Sequence, residues 1–220
     1  GCPSGGFSRS DRRSLLFRQS IVDIARQIAG AMAHVHLHGV VHADLKPANV
    51  LLTENLVVKL CDFGLAKRIR EKKTKQPFVS SAAGTPAFMA PELFRHEILS
   101  SKAHRAVDVW AFGVVLVAML TKNRPFRHNG RWTEKFSSKR FQDAVIHGLR
   151  CEPPSEIPTI LHATIDQCLQ REYSIRPTFK ALLDRFLKLS GELEWESKPL
   201  PSLPEYPAAK TEGTRGMRGT

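Results

Sequence analysis

Between His42 and Asp62 the sequence places two carboxylates, an amine and an amide close together. They are Asp44, Lys46, Asn49 and Asp62, within the strings HADLKPANVLL (His42 to Leu52) and DFG (Asp62 to Gly64). A third string, GTPAFMAPE, runs from Gly84 to Glu92. Carboxylates accept protons and bind hard cations, an amide offers such cations a carbonyl oxygen, and an ammonium attracts anions. Phosphoryl transfer calls for such a set. It needs a group beside the acceptor hydroxyl, a divalent metal to offset phosphate charge, and a cation on the transferring group. Taken singly, each residue has a plainer reading: Asp44 and Asp62 as turn or capping carboxylates, Lys46 as a solvated loop lysine, Leu51 as core. Read as ordered strings, Asp44, Asn49 and Asp62 favour the chemistry, while for Leu51 both readings hold at once.

The elements that must position these residues are short. Ile21, Ile24, Ala25, Ile28, Met32 and Val35 recur at steps of three and four, which predicts a helix from Ser20 that Gly39 terminates. Residues 1–13, rich in Gly, Ser and Arg, read as a loop. Val50 to Leu52 and Val57 to Leu60, split by Thr53-Glu54-Asn55, predict a hairpin that returns the chain from Asn49 to Asp62. Lys67 to Ala83 has no apolar period and reads as a mobile loop, and Arg124 to Arg140 is polar, basic and without pattern. Val107 to Leu120 is apolar nearly all round, which predicts a helix buried on every side. Further helices are expected over Phe141 to Gly148, Ile160 to Gln170 and Phe179 to Leu189, with Pro177 near the start of the last. From residue 191 to 220 Pro, Glu, Gly and Thr dominate, and a disordered tail is expected.

The 220 residues suffice for one domain with a buried core, placed at 1–190. The apolar run Val109 to Leu120 is shorter than the roughly 20 residues of a membrane span, so no membrane association is expected. Four dispersed cysteines without a CxxC pair suit reduced thiols and a cytoplasmic or nuclear setting. The net charge of +12 gathers partly in Lys67, Arg68, Arg70, Lys72, Lys73 and Lys75. No aromatic residues interleave there to stack on bases, which argues against nucleic-acid binding. His34, His36 and His38 invite a metal reading, with His34 and His38 on one helical face, but no Cys or carboxylate partner lies nearby. Cys61, directly before DFG, reads as a small apolar residue.

The three strings together resemble the catalytic half of a eukaryotic protein kinase, of serine/threonine type and similar to the tyrosine-kinase-like group. The resemblance implies an α+β, protein-kinase-like fold: a mainly α-helical C-lobe with short β-hairpins at the cleft. It implies ATP and Mg²⁺ as cofactors and a protein substrate with a Ser or Thr acceptor. By that resemblance Asp44 accepts or orients the hydroxyl proton and Lys46 reaches the γ-phosphate. Asn49 and Asp62 hold Mg²⁺, and Leu51 lies beneath the adenine ring. Phe63 would pack against His42, and Thr85 would hydrogen-bond Asp44 and Lys46. Glu92 would form a buried pair with Arg176, and Asp108, beside Trp110 in DVWAFGVVL, would hold the catalytic-loop backbone.

Two departures qualify the likeness. Ala43 stands where many kinases have Arg, the residue that usually receives an activation-loop phosphate. A phosphate on Ser81 would therefore lack one cationic partner, and activity is expected not to require it. No glycine-rich loop or strand lysine precedes the catalytic loop, and CPSGGF resembles the segment just after the kinase hinge. The chain would then begin where the N-lobe ends. Alone it would present half an ATP cleft, open to water, and is expected to be inactive or nearly so. A pseudokinase that scaffolds partners without phosphotransfer is the alternative. The presence of Asp44, Lys46, Asn49 and Asp62 argues against it.

Overall fold

The computed structural model describes residues 9–69, 76–77, 85–95, 98–128, 131–132 and 138–192. Helix α1 (Arg9–Leu37) buries Ile21, Ala25, Ile28 and Met32 of the predicted stripe together with Val22 and Ala29, while Ile24 and Val35 are only partly buried. It starts well before Ser20, however, and takes in residues 9–13 that read as loop. Leu15, Leu16, Arg18 and Gln19 are good helix formers, so the helix extends through them without an apolar stripe to announce it. Gly39, at φ +68°, ends it by turning into the left-handed region.

Strand β1 (Val40–Val41) leads into the loop that bears Asp44. Strands β2 (Val50–Leu52) and β3 (Val58–Leu60) form the expected antiparallel hairpin, with Val50 opposite Leu60 and Leu52 opposite Val58. Strand β4 (Lys67–Arg68) pairs antiparallel with β1, so the start of the expected mobile loop is strand instead. Its backbone is held from outside: Ile69 N–H also donates to Gly39 O at 2.7 Å. Beyond it, β5 (Gln76–Pro77) pairs with β6 (Ile98–Leu99), which follows the short helix α2 (Pro91–Phe94). The rest of the basic stretch and Ser81 lie outside the described residues.

Helix α3 (Ser101–Thr121) is the centre of the molecule and extends the expected Val107–Leu120 helix at its N-terminal end. Ser100 Oγ caps it by accepting Ala103 N–H at 3.2 Å. By length and composition alone α3 could cross a membrane, but its side chains are mostly buried inside the protein. Gly113 explains one close approach. A Cβ there would lie 2.8 Å from Cys168 Cβ, so only glycine lets α3 pack this tightly on helix α5 (Thr159–Cys168). Helix α6 (Phe179–Glu192) lies along α1, and its Phe179 and Phe186 meet Phe112 of α3 edge-on, at 5.5 and 6.0 Å between ring centres. It runs through residues 191–192, where the tail was expected to begin, and the remaining tail residues lie outside the described set.

The patternless basic stretch also contains structure. Strands β7 (Arg127–His128) and β8 (Arg131–Trp132) pair, and helix α4 (Ser138–Ile146) begins before Phe141. Two-residue strands are too short for a hydrophobic period to reveal. The described residues thus form an α+β fold, mostly helical, with short antiparallel strand pairs.

Candidate active site

Asp108, buried in α3, organises the loop that carries Asp44. Its Oδ2 accepts His42 N–H at 2.8 Å and its Oδ1 accepts Ala43 N–H at 2.8 Å. These bonds hold Ala43 at φ +64°, a conformation that costs an L-residue about 1–2 kcal/mol. The sequence-based expectation that Asp108 holds this backbone is met.

His36 donates from Nε2 to Asp108 Oδ2 at 2.8 Å, since an ionised carboxylate can only accept. Sequence reasoning considered His36 only as a metal ligand and missed this role. The signal was available: His36 follows Ile28 and Met32 at four-residue steps, which puts it on the inward stripe of α1. His34 and His38 are exposed, their rings 4.3 Å apart, and His38 Nδ1 donates to His34 O at 2.9 Å. Among the described residues no group of three or more His, Cys, Asp or Glu could hold a metal ion.

His42 joins the two motif loops. Its Nε2 donates to Cys61 O at 3.1 Å and its Nδ1 accepts Asp44 N–H at 3.3 Å, an arrangement that specifies the imidazole tautomer with hydrogen on Nε2. Phe63 packs against the same ring, with centroids 4.7 Å apart and planes tilted by 44°, the expected contact. Asp44 is nearly buried and gathers two of the other predicted groups, Lys46 and Asn49. Lys46 Nζ donates to Asp44 Oδ2 at 2.6 Å, and Asn49 Nδ2 donates to Asp44 O at 2.8 Å and Oδ2 at 3.2 Å. Asn49 sits in a single 3₁₀ turn that Pro47 starts, where proline's fixed φ and missing N–H do no harm.

Asp62 lies at φ +59°, exposed, with Oδ1 accepting Gly64 N–H at 3.3 Å. Cys61 N–H donates to Asn49 O at 3.0 Å, so the backbone returns beside Asn49 one residue before Asp62. These two residues fit a hard divalent cation. Both hydrogens of the Asn49 amide point toward Asp44, which leaves its oxygen as the available ligand atom, and the Asp62 carboxylate faces solvent. Leu51 is 53% exposed on β2, which excludes the core reading.

Thr85 shares a recess with Ala43, Asp44, Leu45, Phe88 and Met89. Among the described residues no side-chain hydrogen bond joins it to Asp44 or Lys46, in contrast to the expectation. Lys46 instead turns directly onto Asp44. Glu92 and Arg176 form the expected buried pair, bidentate at 2.6 and 2.8 Å, and Arg176 also donates to Ala106 O at 3.0 Å. The guanidinium groups of Arg150 and Arg176 lie 4.7 and 5.1 Å from the centre of the Trp110 ring. Cys61, Cys151 and Cys168 are free thiols. Burial pushes the Cys151 and Cys168 thiols up to about 12.

Comparison with known proteins places the chain in a family. The family described as "Protein kinase domain" matches residues 3–187. The chain is 39% identical over 163 residues to mitogen-activated protein kinase kinase kinase 12 of Rattus norvegicus, covering 74% of this chain and 17% of that protein. It is 37% identical over 163 residues to mitogen-activated protein kinase kinase kinase 13 of Homo sapiens, covering 74% and 15%. A probable LIM domain-containing serine/threonine-protein kinase of Dictyostelium discoideum is 31% identical over 183 residues, covering 83% and 17%. The chain spans only a minor part of the length of these relatives. By the family match, the ordered motifs and the loop that Asp108 anchors, this chain belongs to the protein kinase family.

Proposed function

We propose that this chain supplies the hydroxyl-side and metal-side groups for ATP- and Mg²⁺-dependent phosphoryl transfer to Ser or Thr hydroxyls of a protein substrate. The observation that carries the reading is the network centred on Asp44. One carboxylate, fed by Lys46 and Asn49, sits on a backbone that Asp108 holds in place. Asp44 orients the acceptor hydroxyl and takes its proton as the new bond forms. Lys46 has three donors and uses one on Asp44, so the others remain for an anionic phosphate oxygen. Asn49 Oδ1 and the Asp62 carboxylate would hold Mg²⁺, which offsets phosphate charge when bound. Leu51 offers exposed apolar surface to the adenine ring, and Thr85 shapes the recess beside Asp44.

Lys46 two residues after Asp44, together with Thr85, supports Ser/Thr over Tyr as acceptor, and the Dictyostelium relative carries serine/threonine in its name. The names of the other relatives make a protein kinase the first substrate class to assay. Ala43 brings no cation toward an activation-loop phosphate, so phosphatase treatment should leave activity unchanged.

The test is phosphate transfer from ATP to a Ser/Thr substrate by the full-length gene product, wild type against Asp44→Asn. Nucleotide binding is measured with and without Mg²⁺. Loss of a general base predicts a fall of about 100-fold or more in kcat with nucleotide affinity retained. Equal transfer by both proteins removes Asp44 from the catalytic role. Nucleotide binding without transfer by the wild type selects the scaffold reading.

A further inference from the structure

The hairpin of β2 and β3 starts one residue after Asn49 and ends two residues before Asp62, and it carries Leu51. Its position therefore sets three of the groups assigned to nucleotide and metal. Little burial holds its outer part: Leu51, Leu52, Leu56 and Val57 are all about half exposed, while Val50, Val58 and Leu60 pack partly against the core. A two-stranded hairpin is marginal on its own. Its tip is also strained, because Leu56 sits at φ +56°.

Gln27, on α1, saturates its amide on this tip. Its Oε1 accepts Val58 N–H at 2.9 Å, and its Nε2 donates to Leu56 O at 3.0 Å and to Asp23 Oδ2 at 2.8 Å. Asp23 is in turn fixed through Oδ1 by Arg26, at 2.6 and 3.0 Å. The amide can take only this orientation. Flipped, its oxygen would face a carbonyl and a carboxylate, and its NH₂ would face a donor. We infer that Gln27 is a positioning residue for nucleotide and Mg²⁺ binding. It clamps the hairpin to α1 and so fixes Leu51, Asn49 and Asp62 relative to one another.

This inference rests on the kinase reading, and the experiment separates the two. Gln27→Glu keeps the size and the acceptor for Val58 N–H but sets a carboxylate oxygen against Leu56 O and Asp23. Gln27→Met removes the polar atoms at similar volume and serves if the first variant folds poorly. In the full-length gene product, titration with Mg²⁺ and the non-hydrolysable analogue AMP-PNP should show affinity falling about tenfold, the scale seen when outer-shell support of a metal site is lost. KM for ATP should rise while KM for the protein substrate holds. Hydrogen exchange should quicken at residues 50–60 and stay unchanged in α3. Adding Asp23→Asn to Gln27→Glu should recover part of the affinity, since an amide at position 23 can donate to the new carboxylate. Faster exchange with unchanged nucleotide affinity would make Gln27 a structural tether only and overturn the inference, as would no change in either. A wild type that binds no nucleotide overturns the kinase reading itself, and this inference with it.

Discussion

Asp108 and Ala43 are 65 residues apart, yet the carboxylate of one accepts the backbone N–H of the other at 2.8 Å. The same carboxylate takes His42 N–H and His36 Nε2, so three donors from two segments converge on one buried acid. Asp108→Ala leaves those donors without a partner in the interior. Stability should fall by about 3 kcal/mol, the scale for losing charge-assisted hydrogen bonds from buried donors. Chemical denaturation measures it, and His36→Leu, which removes one donor together with its need, should cost visibly less.

The left-handed backbone at Ala43 predicts a gain of function in folding terms. Gly adopts that conformation without the Cβ penalty, although it loses more freedom from the unfolded chain. The balance predicts that Ala43→Gly raises stability by about 0.5 kcal/mol, while Ala43→Val lowers it by more than 1 kcal/mol. Urea midpoints of the two variants check the sign of each. An Ala43→Val protein as stable as wild type would show that this backbone is not strained.

Glu92 and Arg176 form a buried ion pair, and the cost of breaking it should depend on how it is broken. Glu92→Ala leaves Arg176 charged in the interior and should destabilise by about 3–5 kcal/mol. The double substitution Glu92→Leu with Arg176→Met removes both charges and should lose much less than the sum of the single changes. A double-mutant cycle in denaturant gives the coupling, and simple additivity would contradict the pairing.

His104, buried near the start of α3, donates from Nδ1 to Ser100 O at 2.7 Å. Burial pushes its pKa below the ordinary value of 6.5, the Ser100 carbonyl opposes that shift, and the charge of Lys67 adds to it. The folded state therefore resists the proton that the unfolded state accepts. Stability from this group is complete above about pH 6.5, falls as pH drops through the window beneath it, and levels off below the folded pKa. His104→Gln should flatten that part of the curve. The readout is the difference in denaturant midpoint between pH 7.5 and 5.5, wild type against variant, and equal differences would remove His104 as the cause.

The groups proposed for chemistry were legible because they are close in sequence. Asp44, Lys46 and Asn49 lie within six residues, and the hairpin that brings Asp62 back is marked by two β-rich runs around a polar turn. The long helices α1, α3 and α6 were legible in outline, since a repeated apolar step survives in the sequence whatever packs against it. Two-residue strands such as β1 and β4 were not, because pairing alone creates them. The same holds for the supports of the site. His36 meets Asp108 across 72 residues, and Gln27 meets Val58 across 31. By itself, the sequence singled out the side chains proposed to move a phosphate and determined where the main helices run, because local spacing marks both. Only the tertiary structure decided which histidine buttresses the loop, which backbone is strained and which amide clamps the hairpin. Those contacts exist only once distant segments pack, and no pattern within either segment specifies its partner.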